Sequence, residues 1–395
     1  MTFSHLRQLY MVGVQLAALM MPFHAPFLGV LATVLVALLL VGFAWGGRPN
    51  LHNKGLLVLA SLWLLYLLFM YQLVYDDGAG LSQILETRAG LWVGLLIVAS
   101  LNPKYNETRR VYVMFRSGLV VSLLVCLAVG MVRALLSSNP EKLTHSELSL
   151  FMHPGYLAAM IWGAIWAEIF VFKKPWSLAC SLFWIFLLLL ATKAFWLAAI
   201  ILAILTQQQW KGTRTSWIAC RKKILFAGTA LLLSSVFLLQ QRLGELWAEL
   251  QGRWPEKEYR SSVLVRWQVW SAGLTLLGQS GWWGLGESAV RERLNGLYQE
   301  NGYTVALKNR YNTHNLFLEE ALLHGMPGLL FVLAIILGLW KPLWRDYGLS
   351  SLALLAAFVS WGLTESFLQR SMGCLWIGFL WSLLTRLSEK EFLKY

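Results

Sequence analysis

Stretches of about 20 apolar residues recur from one end of this sequence to the other, the length a helix needs to cross the hydrocarbon core of a bilayer. Twelve segments qualify, near 6–22, 26–45, 55–75, 89–102, 112–136, 155–172, 176–192, 193–209, 224–240, 325–341, 349–364 and 371–386. The fourth is short and the break between the seventh and eighth is tight. Composition agrees: 57% of the 395 residues are hydrophobic and 13% charged, where a soluble domain carries about 25% charged residues. Many of the 21 Trp and 20 Phe stand where apolar runs end, as the aromatic belts of membrane proteins do. The sequence therefore predicts an all-α, polytopic membrane protein with about 12 transmembrane helices. Its first apolar stretch, Leu9 to Met21, follows the single basic residue Arg7 and precedes no small-residue cleavage site, so it reads as a retained helix.

The net charge of +13 raises the question of nucleic acid, and the placement of the basic residues answers it. With both termini inside, the short inner segments hold 18 Lys and Arg, among them Arg7, Lys104, Arg109, Arg110 and the group Lys211 to Lys223; the short outer loops hold 4, namely Arg88, Lys142, Lys193 and Arg370. That asymmetry sets the orientation. A basic inner face meets anionic membrane lipids and needs no nucleic acid. The cysteines Cys126, Cys180, Cys220 and Cys374 are scattered through or beside apolar runs without metal-ligand spacing, and read as packing residues.

Residues 241–324 fit no span, because Arg242, Glu245, Glu249, Arg253, Glu256, Lys257, Glu258 and Arg260 fall within twenty residues. The expected organisation is nine helices over 1–240, a large outer loop over 241–324 and three helices with an inner tail over 325–395. Within the loop, Leu243, Leu246, Trp247 and Leu250 have the spacing of an amphipathic helix lying on the membrane. Val263 to Leu277 is a second helical stretch, ended by the turn-rich run from Gly278 to Gly286.

Three positions on the predicted outer face stand out, since charge beside a bilayer is costly. Lys193, in a long apolar run, either serves a ligand or caps helix carbonyls while its amine reaches water. Arg266, among Val265, Trp267 and Trp270, offers a planar fork suited to paired phosphate oxygens, with an internal salt bridge as the alternative. His314 lies where the chain re-enters the membrane; an imidazole there is either structural or a general base. His145 and His153 occupy another outer loop, but their spacing from each other and from His314 gives no metal motif, so no metal or other cofactor is expected, and His153-Pro154 reads as a helix start. The run Gly281-Trp282-Trp283-Gly284-Leu285-Gly286 reads as an interfacial turn more readily than as a phosphate cradle, because strand and helix context is missing.

At these residues the chain resembles the O-antigen ligase family, membrane glycosyltransferases related to O-antigen polymerases. The resemblance rests on Arg266 with Trp270, then Gly281 to Gly286, then Thr313 to Leu318 with Gly325-Met326-Pro327-Gly328, in that order. Thr364 to Arg370 followed by Gly373 looks like a further family segment. The resemblance implies a membrane-embedded helical core of GT-C-like type, with one large periplasmic loop between helices 9 and 10. It implies a multi-pass protein of the bacterial inner membrane, both termini cytoplasmic and the active site facing the periplasm. It also implies metal-independent transfer of a glycan from undecaprenyl diphosphate to lipid A-core or another glycan acceptor, with inversion at the anomeric carbon. Arg266 and His314 match the family's functional arginine and histidine; Lys193 matches a position where the family often has arginine, and would bind the diphosphate. Asn315, Glu319 and Glu365 are candidate supporting residues, with Glu319, Glu320 and Glu365 the carboxylates that could orient the histidine. A polymerase or a protein O-oligosaccharyltransferase would share the donor site, whereas a transporter would be expected to show repeated halves, and none is visible.

Overall fold

The structure, a computed structural model, describes residues 3–23, 33–41, 54–101, 106–143, 145–175, 177–190, 192, 195, 198–199, 201 and 262–387. Every regular element among them is helical. The principal helices are α1 (Phe3–Met20), α2 (Lys54–Phe69), α3 (Gly78–Ala99), α4 (Glu107–Ser137), α5 (Pro154–Trp166), α6 (Leu178–Leu189), α7 (Ser262–Leu277), α8 (Glu287–Glu300), α9 (Thr304–Asn309), α10 (Leu316–Tyr347), α11 (Leu352–Thr364), α12 (Ser371–Leu375) and α13 (Ser382–Leu387). Five helical segments of the described residues are long and apolar enough to cross a membrane: Lys54–Val74, Gly78–Ala99, Glu107–Ser137, Pro154–Val171 and Leu316–Thr364. The last joins α10 and α11 through the short turn Gly348–Ser351 and is 49 residues long.

The fourth expected helix is corrected. It begins at Gly78 rather than 89, because the Asp77 side chain accepts the Gly80 N–H at 2.8 Å and caps the first turn. Arg88, counted above with an outer loop, is a buried residue inside it. The expected start at His153-Pro154 is found, with the His153 ring accepting the Gly155 N–H. The expected spans at 193–209 and 224–240 fall almost wholly outside the described residues, as does the amphipathic helix expected at 242–254. The chain divides into two compact units, one of Met1–Ala198, Leu333–Phe358 and Phe367–Tyr395, the other of Ala199–Val332 and Val359–Ser366.

In the first unit, α3 crosses the π-helical turn Trp376–Trp381 backbone to backbone. A Cβ on Gly94 would stand 2.6 Å from the Gly378 carbonyl carbon, and one on Gly378 would stand 2.3 Å from the Leu91 oxygen. Small residues at such crossings replace the hydrophobic drive that lipid does not supply. Two carboxylates inside the unit are paired: Arg7 binds Glu107 at 2.6 Å, and the fully buried Glu168 accepts from Arg116 at 3.2 Å and from the Ser177 hydroxyl at 2.9 Å. A buried carboxylate left without these donors would cost several kcal/mol.

Tryptophan use departs from the belt expectation. Trp162, Trp166, Trp361 and Trp381 are buried, and the Trp162 and Trp166 indoles donate to the carbonyls of Ala353 and Ser350 at 3.3 and 3.1 Å. An indole buries a large apolar body at low cost when its N–H finds an acceptor. The three described cysteines, Cys126, Cys180 and Cys374, are buried and form no disulfide with one another. Replacing Gly94 by Val should force α3 away from Trp376–Trp381, destabilising the protein by about 1–3 kcal/mol; a lowered Tm of the purified protein in detergent is the measurement.

Candidate active site

The second unit is built on a core shared by four helices. Val269, Ala272 and Leu276 of α7 pack with Val290, Leu294 and Tyr298 of α8, Ala306 of α9, and Leu318, Leu322 and Leu323 of α10. Their spacings of three and four residues put them on one face of each helix. On the far side of α8 the charged Arg291, Glu292 and Arg293 face solvent. The Tyr298 hydroxyl donates to the Tyr311 carbonyl at 3.0 Å, and burial, helped by the nearby Glu319, pushes that phenol above its ordinary range so that it stays a donor.

The glycine-rich run joins this core through its backbone. Leu285 and Gly286 donate to the carbonyls of Leu322 and Leu323 at 2.9 and 3.0 Å, and Met326 donates to the Trp282 carbonyl at 2.9 Å. Gly325 breaks α10 with φ +65°, and a Cβ there would lie 2.0 Å from the Trp282 oxygen. Gly284, φ +78°, meets the same backbone from the other side. The amides of Leu285 and Gly286 are committed to protein carbonyls and are not offered to a phosphate. Trp282 and Trp283 are 60% and 53% exposed, as an interfacial turn requires.

Between α9 and α10 the chain makes the tight turn that carries His314. Arg310 and His314 are left-handed, with φ of 48° and 47°, a conformation that costs a non-glycine residue about 1–2 kcal/mol. Local hydrogen bonds compensate. The Thr313 N–H and hydroxyl both donate to Glu319 Oε2, at 2.9 and 2.6 Å, and Asn312 Oδ1 accepts the His314 N–H at 3.1 Å. Asn315 Oδ1 accepts from Phe317 and Leu318 at 3.0 and 3.1 Å, which makes it the N-cap of α10.

The His314 ring is packed edge-on against Tyr311, with centroids 5.0 Å apart. Its Nδ1 faces Glu365 Oε2 at 3.7 Å, beyond hydrogen-bond length but within ion-pair range. Both side chains are partly exposed. Of the three candidate carboxylates, Glu365 is therefore the one at the histidine. Glu319 holds Thr313, and Glu320 is bound to His324 Nδ1 at 3.0 Å, both of that pair being fully buried.

Arg266 is half-buried on α7. It lies seven residues before Gly273, on nearly the same helix face and about 10 Å along the axis. Gly273 is the point where α7 packs on Thr313 and Leu318, a Cβ there standing 2.9 and 2.8 Å from those side chains. The helix face that bears Arg266 is thus the face turned to the base of the histidine turn. Lys193 lies outside the described residues.

Residues 178–333 match the family model described as O-antigen ligase. Over that stretch, less than half of the chain, the protein is similar to the O-antigen ligase family. No curated protein matches the chain. The O-antigen ligase match contains Lys193, Arg266 and His314 together with the Gly284–Gly325 contact, and the family resemblance drawn from those residues holds. The family points to a membrane glycosyltransferase of the ligase and polymerase type. The domain match stops before Glu365, whose place at His314 comes from the structure.

The Glu320–His324 pair went unremarked in the sequence, although a Glu four residues before a His is a visible helical signal. Thr313 was noted only as part of a motif; its role as the double donor to Glu319 depends on the turn's backbone. Thr313→Val should leave the Glu319 carboxylate buried with fewer donors and cost about 1–3 kcal/mol. The expected readout is faster proteolysis of the 310–316 turn in an otherwise folded protein.

Proposed function

We propose that this protein transfers a glycan from undecaprenyl diphosphate to an acceptor hydroxyl, and that the acceptor is lipid A-core, making it an O-antigen ligase. The observation that carries the reading is the placement of His314 on a hydrogen-bonded turn with Nδ1 toward Glu365, inside a chain with membrane-spanning helices and an O-antigen ligase domain match. With Nδ1–H turned to the carboxylate, Nε2 is the nitrogen left to take a proton, a tautomer assigned from the neighbours.

In the proposed reaction the acceptor hydroxyl loses its proton to His314 Nε2 as its oxygen attacks the anomeric carbon. The bond from that carbon to the phosphate oxygen breaks, and undecaprenyl diphosphate leaves with the electron pair. One displacement inverts the anomeric centre. Glu365 offsets the positive charge on the imidazolium. Arg266 and, by its sequence context, Lys193 offset the negative charge growing on the leaving diphosphate, the task that a divalent cation performs in other transferases. A donor already activated as a diphosphate needs no nucleotide. In this reading the basic short segments are cytoplasmic, which favours both termini in the cytoplasm and the histidine turn toward the periplasm.

His314→Ala should lower turnover by at least about 10²-fold while the protein remains inserted and abundant, and Glu365→Gln should cause a smaller loss. The assay is reconstituted transfer from lipid-linked donor to lipid A-core, and full activity in the alanine variant would exclude the base role. Saturating EDTA should leave turnover intact; activity lost and then restored by one divalent ion would refute the cationic side-chain mechanism. If the assay elongates lipid-linked repeat units instead, the protein is a polymerase using the same donor site.

A further inference from the structure

A cavity of about 410 Å³ opens in the first unit beside α1 and the start of α4, lined by Gln15, Asn106, Arg109, Arg110, Val113 and Met114. It is far in sequence from the residues assigned above to glycan transfer. Arg109 and Arg110 are exposed, and neither is paired with a carboxylate among the described residues. The Arg109 guanidinium stands 6.0 Å over the Phe172 ring, which restrains it from one side. Two uncompensated guanidinium groups at the rim of a cavity call for an anion, and their planar donors suit phosphate oxygens.

The rest of the lining says what the anion is attached to. Val113 and Met114 form an apolar wall along α4. Gln15 interrupts the apolar run of α1, and its amide makes no hydrogen bond to any described residue. Helices α1 and α4 run parallel, since Arg7 meets Glu107 and Leu19 meets Gly118. Gln15 is eight residues beyond Arg7, about 12 Å, and Arg110 is three beyond Glu107, about 4.5 Å. The amide therefore lies deeper along the shared axis than the arginine pair. Going inward, the cavity presents cations, then an amide, with apolar side chains alongside: the order of phosphate, ester and acyl chain in a membrane phospholipid.

We propose that this cavity is a binding site for one anionic phospholipid. Its phosphate lies against Arg109 and Arg110, an ester oxygen accepts from Gln15, and an acyl chain lies on Val113 and Met114. The site is independent of glycan transfer.

The test uses the purified full-length protein in detergent, titrated with phosphatidylglycerol or phosphatidylcholine and read by native mass spectrometry. Wild type should hold phosphatidylglycerol about tenfold or more tightly than phosphatidylcholine. R109Q/R110Q should lose that preference with its Tm unchanged, and R110Q alone should lose part of it. Q15L should weaken both lipids and keep the preference. R345Q, which removes a guanidinium already bound to Asp346, should change nothing. Equal binding of the two lipids by wild type, or an undiminished preference in R109Q/R110Q, overturns the proposal. So does a loss in R345Q as large as that in R109Q/R110Q, which would mean general surface attraction. Competition by glycerol 3-phosphate at millimolar concentration would assign the arginines to a soluble phosphate compound, and overturns the lipid assignment.

Discussion

The candidate site depends on two backbones meeting at van der Waals distance. Trp282 to Gly286 lies directly on Leu322 to Met326, with three N–H···O bonds across the contact and glycine on both sides. Neither Gly284 nor Gly325 could carry a side chain without pushing the segments apart, and both have positive φ. This contact ends the first part of α10 and ties it to the turn that follows α7. The core of α7, α8 and α10 side chains then holds the start of α10 in place. Because Asn315 caps that start and Glu319 lies one turn inside it, the His314 turn inherits its position from the same contact.

Among the described residues, four buried carboxylates each have a partner. Glu168 has Arg116 and two hydroxyl donors, Glu107 has Arg7, Glu319 has both donors of Thr313, and Glu320 has His324. Against that background the looser His314–Glu365 pair, 3.7 Å apart and partly exposed, is the exception. Arg109 and Arg110 are exposed cations beside a cavity.

Glycine and tryptophan show how membrane packing differs from a soluble core. Where α3 crosses Trp376–Trp381, glycines let main chains approach, and elsewhere Trp162 and Trp166 are wholly buried. Indole N–H groups of Trp162 and Trp166 reach the carbonyls of Ala353 and Ser350. Trp267, Trp282 and Trp283 in the second unit remain exposed, so the same residue type serves both as core and as surface. Composition alone does not separate the two uses.

Helical class, membrane character, the family and the identity of the notable residues could be read directly from the sequence, because apolar run length and short motifs are local properties. The cap at Asp77 was also local, yet the helix beginning at Gly78 was missed because polar residues from Ser82 to Arg88 interrupt the apolar signal while staying compatible with a helix. What tertiary structure decided was which side chains meet. His314 and Glu365 are 51 positions apart, and only the placement of the residues after α11 selects Glu365 over the nearer Glu319 and Glu320. The glycine-rich run could cradle phosphate or clasp a helix, and the N–H groups of Leu285 and Gly286 go to the clasp. Sequence fixes the chemistry each residue can perform; distance between residues far apart in the chain is set by packing, which no local pattern encodes.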